Sequence, residues 1–252
     1  MTSRFTGKVV LISGGGSGIG RAGALAFARE GATVVVAGRN ADPLRETVDL
    51  IEAEGGRAGA VTADVSSSRD VARLVTTTVE RHGGLHIAFN NAGVFEAGPL
   101  ADMDEAAWDH LIAVNLTGVF LSMKHQIAHM RVNGGGVIVN TASNLGAHMR
   151  LPFLGAYAAS KAAVSALSRA AARECIGQGI RVNAISPGPV DTAMSLRPGE
   201  SEGARTERMK DALPIGRVGT LAEAASAVLW LASPEAGFTV GHDLVIDGGA
   251  TA

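Results

Sequence analysis

The chain is short of several things that would each have committed it to a class. It has one cysteine, Cys175, in 252 residues. An intrachain disulfide framework is therefore excluded, and nothing speaks against a reducing compartment. It carries 22 basic and 24 acidic residues, a net charge of −2, with no basic run. Neither nucleic acid nor an anionic membrane is an expected partner. No apolar run reaches the roughly 18 residues that a membrane-spanning helix needs, and Met1 to Lys8 lacks the apolar core of a secretory signal. A soluble, cytoplasmic protein is expected. Aromatic residues make up 4% of the chain and only one of them, Tyr157, is a tyrosine.

What the chain has in quantity is glycine, at 33 residues, within an apolar content of 46%. That composition suits a tightly turned α/β fold with a core of small aliphatic side chains. Short apolar, β-branched runs are predicted strands at 8–13, 33–38, 57–63, 85–90, 137–141, 180–186 and 244–247. Continuous apolar strands are buried on both faces, as in a parallel sheet. Between them lie segments of helical period at 18–30, 43–54, 67–82, 104–131 (one long helix or two joined), 155–175 and 221–232. The alternation implies βαβ units. With no linker or repeat, residues 1–252 are expected to form one domain. The predicted architecture is a Rossmann-like, doubly wound parallel sheet of about seven strands in three α/β/α layers. Residues 193–213 show no clear period at their start and are polar in the middle; they are read as a substrate lid.

Tyr157 stands four residues before Lys161 in a run of good helix formers, 156–172. Positions i and i+4 share a helix face. A free phenol titrates near pH 10 and is a poor proton carrier at neutrality. A positive charge ~4 Å away contributes roughly 4 kcal/mol at an effective dielectric near 20, enough to lower it by up to about three units. The plain alternative is a helix with one exposed Tyr and one exposed Lys. A glycine-rich turn, Ser13-Gly14-Gly15-Gly16-Ser17-Gly18-Ile19-Gly20, follows the first predicted strand and opens the first helix. Glycine there permits positive φ and removes the Cβ that would keep a phosphate from the backbone. The helix N-terminus behind it offers free N–H groups. Its spacing departs from the commonest dinucleotide fingerprint, and a merely flexible glycine turn is the alternative.

Gly14-x-x-x-Gly18-x-Gly20, Asn90-Asn91-Ala92-Gly93, Asn115, Ser143, Tyr157-x-x-x-Lys161 and Pro187-Gly188 occur in that order. With them the chain resembles the short-chain dehydrogenase/reductase family, in its single-domain form, from Lys8 to Gly249. The resemblance implies a catalytic set of Asn115, Ser143, Tyr157 and Lys161. Tyr157 would exchange a proton with the substrate oxygen, and Lys161 would lower its pKa and hold the nicotinamide ribose. Ser143 would bond the reacting oxygen, and Asn115 would loosen its helix to seat a relay water. Tyr157 stands fourteen positions after Ser143, one more than the family's usual spacing, which puts an extra residue in loop 144–155. For the cofactor the resemblance implies Gly14, Ser17, Gly18, Ile19 and Gly20 at the phosphates and Asn91, Ala92 and Gly93 along the adenosine. Asp64, with Val65 beside it, would accept from the adenine amino group. Pro187, Gly188, Val190 and Thr192 would hold the nicotinamide carboxamide. A surface asparagine is the alternative for Asn115, and a helix cap for Asp64.

The end of the second predicted strand bears on the choice of nicotinamide cofactor. An acidic residue there would bond a ribose 2′-OH. Gly38 stands in that place and Arg39 follows, and an arginine fork suits a 2′-phosphate. NADP(H) is favoured; NAD(H), with Arg39 stacked on adenine, is the alternative. The expected substrate pocket, with Phe95, Leu145, Phe153, Leu154 and Met194, is apolar. Arg150 and Arg197 are read as solvated loop charges, so a hydrophobic ketone or secondary alcohol is expected. His125 and His129 are i and i+4, a spacing that can bind zinc, but no acid or thiol completes a set and no metal is expected. His148 is read as a loop histidine. The C-terminal segment from Leu221 implies, by resemblance, a homotetramer. The rivals are a nucleotide sensor without catalysis and an isomerase or dehydratase of the extended type. An enoyl reductase is disfavoured by the Tyr–Lys spacing.

Overall fold

The structure is a computed structural model and describes residues 3–252. Seven strands form one sheet in the order β3-β2-β1-β4-β5-β6-β7. They are β1 (Val9–Ser13), β2 (Thr33–Gly38), β3 (Arg57–Thr62), β4 (Ile87–Asn90), β5 (Gly136–Thr141), β6 (Ile180–Pro187) and β7 (Asp243–Ile246), and every pairing is parallel. All five residues of β1, Val-Val-Leu-Ile-Ser, are buried. Alternate side chains enter opposite layers, as the period of a strand requires. Val10 and Ile12 pack with Ala24 and Phe27 of α1 (Gly18–Arg29), Leu44 and Ile51 of α2 (Ala41–Ala53), and Val228 and Leu231 of α8 (Leu221–Ala232). Val9 and Leu11 pack with Leu74 of α3 (Ser68–His82), Met123 of α5 (Gly118–Met130) and Val164 of α6 (Gly155–Cys175). Two cores on two faces give the three expected layers.

The chain winds outward from β1 in one direction and from β4 in the other. Between those strands is the topological switch point, where α/β sheets leave a crevice at their carboxyl ends. The register brings Ser13 level with Asn90 and Asn90 level with Asn140, all at that edge.

The segment predicted as one long helix or two is two. α4 (Glu105–Ile112) and α5 are joined by a π-helical turn, Ala113–Thr117. Asn115 lies at its centre; wide turns of this kind recur where a helix serves a site. The segment without clear period contains α7 (Glu202–Ala212), capped by the Ser201 hydroxyl, which accepts from the Ala204 N–H. Only Arg205 and Met209 of α7 are buried, so its inward stripe is one turn long and half charged. Among the described residues no helix is long and apolar enough to cross a membrane.

Candidate active site

α6 turns one face inward, and Tyr157, Lys161, Val164, Ser168 and Cys175 lie buried along it. Tyr157 is 7% exposed in a box made by Leu111 and Ala156, with Val94, Met103 and Leu145 against it. The Phe95 ring meets it edge to face at 5.0 Å. Lys161 is 3% exposed. Its Nζ lies 5.9 Å from the Tyr157 ring centroid and donates to the Thr141 carbonyl at 2.8 Å. Burial brings the Lys161 ammonium down to about 8. It pushes the Tyr157 phenol above its ordinary value, and the Ser143 hydroxyl offsets part of that rise. The expected net lowering of the phenol by Lys161 is absent in the free protein, where burial outweighs it. The two side chains share a face, but the ammonium is directed across the ring to a carbonyl, and desolvation of the phenolate dominates.

Ser143 is buried and accepts from the Leu145 N–H at 3.1 Å, which leaves its O–H for the phenol. Thr141 is committed elsewhere, its hydroxyl donating to Asn91 Oδ1 at 3.4 Å. Asn115 is fully buried, so the surface alternative fails. Its Oδ1 accepts from the Val94 N–H at 2.8 Å, and its Nδ2 donates to the Val94 carbonyl at 2.9 Å and to Ser160 Oγ at 3.3 Å. The amide thus joins the segment after Gly93 to α6, one residue before Lys161.

The glycine turn is a close-packed cradle. Gly14 and Gly18 have φ of +67° and +50°. A Cβ on Gly20 would fall 2.1 Å from the Gly14 carbonyl oxygen, and one on Gly18 would fall 3.3 Å from Thr192 Cγ2. The Ser17 side chain does not cap α1, and no acid stands in its first turn. The N–H groups around Ile19 and Gly20 are left to an outside acceptor, as an anion site requires. Two features of this cradle were not legible beforehand. Arg21 donates to the Gly16 and Pro43 carbonyls and pairs with Glu46, while Thr47 donates to the Gly15 carbonyl at 3.0 Å. Ser13 Oγ accepts from the N–H groups of Asn91 and Ala92 at 3.1 and 3.2 Å. The donor set and the missing side chains fit a dinucleotide pyrophosphate.

Arg39 is exposed at the end of β2 and forms no ion pair among the described residues. Asp64 Oδ1 accepts from the hydroxyl and the N–H of Ser66 at 2.7 and 2.9 Å. Those bonds, with a smaller contribution from Arg39, hold its carboxyl below the usual range. Ser67, not Asp64, caps α3. Val65 is buried against Gly118, where a Cβ would lie 2.9 Å from its Cγ2.

After β6, a Cβ on Gly188 would meet Asp247 at 2.7 Å. Val190 bridges to Gly219, and the Thr192 N–H donates to the Val190 carbonyl at 2.7 Å. A cavity of about 310 Å³ lies by this loop, between Val190, Leu213, Ile215 and Gly248. It does not reach Tyr157.

Of the expected substrate residues, Phe95 and Leu145 contact Tyr157. Phe153, Leu154 and Met194 lie outside that apolar box. Phe153 and Met194 are 64% and 47% exposed. Phe153 is the one non-glycine residue with positive φ among those described, at 67°, inside the loop expected to hold an extra residue. Its carbonyl accepts from the Gly98 N–H at 2.7 Å. His148 is more than a loop histidine: it bonds buried Asp243 at 2.9 Å, which also accepts from Ser186 Oγ. His125 Nε2 lies 3.3 Å from Ser68 Oγ, and no metal-holding cluster occurs among the described residues.

A family profile described as enoyl-(acyl carrier protein) reductase matches residues 14–251. The chain is 38% identical to the cyclohexanol dehydrogenase of Acinetobacter sp. (strain SE19), over 100% of this chain and 98% of the relative. It is 41% identical to a 2,5-dichloro-2,5-cyclohexadiene-1,4-diol dehydrogenase of Sphingobium indicum, over 99% of both chains. The crystal structure of levodione reductase superimposes with a TM-score of 0.93 at 36% identity, covering 98% of this chain and 99% of the other.

Proposed function

The chain belongs to the short-chain dehydrogenase/reductase family and transfers a hydride between a nicotinamide cofactor and a ketone or secondary alcohol; from that premise we propose that its substrates are apolar six-membered rings, that Tyr157 moves the proton, and that NADP(H) is preferred over NAD(H). The observation that carries this reading is the gathering of buried Tyr157, Ser143 and Lys161 beside an apolar box at the carboxyl end of β5.

The bound nicotinamide supplies the hydride in reduction and takes it in oxidation. The protein's own groups do the rest. In reduction the Ser143 and Tyr157 hydroxyls donate to the carbonyl oxygen and polarise it, and the Tyr157 proton passes to that oxygen as the C–H bond forms. A phenol held above its ordinary pKa keeps its proton at neutrality, so the proton to be donated is present, and the cost lies in the phenolate that donation leaves. The Lys161 ammonium, charged below about pH 8, stabilises the phenolate left behind. Oxidation runs the same path backwards. Asn115 holds Val94 and Ser160, and so keeps the pocket wall and the Tyr157–Lys161 turn in register.

Phe95, Leu145, Val94 and Met103 offer a ring-shaped substrate hydrophobic contact and no counter-charge. Two relatives named for cyclohexanol and a cyclohexadiene-diol support the same class. Arg39, exposed and without an ion pair among the described residues, supports recognition of a 2′-phosphate. Residues 193–213 act as the lid in a one-domain, cytoplasmic enzyme. Exposed Trp230, Phe238 and Val240, within the C-terminal segment expected to pack between subunits, support a homotetramer. The test is a panel of cyclohexanols, cyclohexanones, linear ketones and one enoyl thioester, followed by reduced-cofactor absorbance with NADP(H) and NAD(H). Turnover of the cyclic alcohols or ketones is expected. Reduction of the enoyl thioester alone, or no turnover of any member, would overturn the reading.

A further inference from the structure

α7 presents an unusual burial. Its side chains are mostly exposed, yet it buries an arginine: the Arg205 side chain is 5% exposed. Taking a guanidinium out of water is costly unless each donor meets an acceptor. The acceptors here all belong to one short loop after β6. Nη2 pairs with Asp191 Oδ1 at 2.6 Å, and Nη1 donates to Ser195 Oγ at 3.0 Å and to the Thr192 carbonyl at 3.5 Å. Nε is buried with no partner at all, the one such side-chain atom among the described residues. Arg208, a turn-neighbour on α7, donates to the Ser195 carbonyl at 3.1 Å and pairs with Glu200, so the same loop is gripped twice.

The gripped loop is the one that faces the glycine turn. Thr192 Cγ2 is the atom that a Cβ on Gly18 would approach. We infer that Arg205 is a positioning residue: it reaches from α7 to set Asp191, Thr192 and Ser195 opposite the phosphate cradle, and so shapes the seat of the nicotinamide end of the cofactor. This rests on the nicotinamide-dependent function argued above. The grip is also built to let go. The Asp191 side chain is 57% exposed, so water can replace the guanidinium on it without stranding a buried carboxylate. The unsatisfied Nε denies the closed arrangement full compensation. Swinging Arg205 outward would release α7 and Thr192 together, coupling lid position to the cofactor seat.

Arg205→Met keeps most of the side chain's length and removes every donor; Asp191→Asn removes the charge partner by a minimal change if the first variant does not fold. Two measurements are paired. Hydrogen exchange is followed without nucleotide over residues 191–212, and affinities are measured for NADP⁺ and for 2′-phospho-ADP-ribose, which keeps the adenosine, the pyrophosphate and the second ribose and lacks only the nicotinamide ring. Faster exchange confined to that segment is expected, with NADP⁺ affinity falling about tenfold, the loss of one charge-assisted bond. Affinity for 2′-phospho-ADP-ribose stays unchanged, KM for cofactor rises more than kcat falls, and Arg205→Lys recovers part of the loss. Unchanged exchange, or equal weakening of both nucleotides, overturns the inference. If the wild type binds 2′-phospho-ADP-ribose but no dinucleotide, the functional reading fails instead, and the exchange measurement still decides whether Arg205 holds the loop.

Discussion

The titration of Lys161 makes a prediction with a definite sign. The free protein holds this ammonium near pH 8 because it is buried, with a carbonyl as its polar partner. By simple titration about nine-tenths of the molecules carry the charge at pH 7 and about one-tenth at pH 9. Tyr157 moves the other way, held above its ordinary value by burial, so the proton to be donated is still present across that range. The charge that stabilises the departing phenolate is what disappears. kcat/KM for the reduced cofactor reports the free enzyme. For ketone reduction it should be flat below about pH 7 and fall roughly tenfold between pH 7 and pH 9. Lys161→Arg keeps a charge that does not titrate there, so its profile should lose this limb, at a lower absolute rate. A wild-type profile flat to pH 10, or a limb near 8 that survives in Lys161→Arg, would refute the assignment of the limb to this lysine.

Three further outcomes follow from the site. Tyr157→Phe keeps the ring against Phe95 and removes the proton, so kcat should drop at least about a hundredfold while cofactor affinity, measured by fluorescence titration, holds; near-normal turnover removes Tyr157 from its role. Arg39→Asp should move the NADP/NAD ratio of kcat/KM toward NAD, since a carboxylate bonds a 2′-OH and repels a 2′-phosphate; an unchanged ratio refutes the preference. Phe153→Gly should relieve a left-handed backbone costing about 1 kcal/mol and raise Tm by roughly 3 °C, because the ring is mostly exposed and little packing is lost; a lower Tm would show that the ring's contacts outweigh the strain.

The sheet was legible because burial on both faces leaves an unmistakable trace, a run such as Val9 to Ile12 with no polar interruption. Tyr157 and Lys161 were legible because helix geometry alone puts them on one face. The same argument could not say where the ammonium points, and the predicted direction of the Tyr157 shift failed for that reason. α7 escaped notice because its inward stripe is only Arg205 and Met209, and an arginine reads as polar whatever it touches. Arg21, Ser13 and Thr47 brace the cradle mainly through partners far along the chain, up to 79 residues away. Such pairings depend on which strand ends the topology brings together, and no local pattern announces them.

One such pairing explains why the site can be stiff in a protein so rich in alanine and glycine. Asn90 and Asn140 lie level on neighbouring strands. Asn90 exchanges two hydrogen bonds with Gln126 of α5 and donates to Asn140, which in turn donates to Ser168 of α6 and to the Met123 sulfur. All are buried. A buried polar network is costly when half satisfied and ordering when complete; this one ties α5 and α6 to the same two strand ends. The π-helical turn then separates two tasks along one chain segment. Below it, α5 is registered to the sheet through Gln126, Met123 and Val119. Above it, Leu111 packs on Tyr157, and Asn115 within it clamps Val94 and Ser160. Lys161 is one residue from Ser160 and seven from Ser168. The group that carries the proton, the group that carries the charge and the wall against which substrate rests are therefore all referred to one frame, and that frame exists only where β4 and β5 end together.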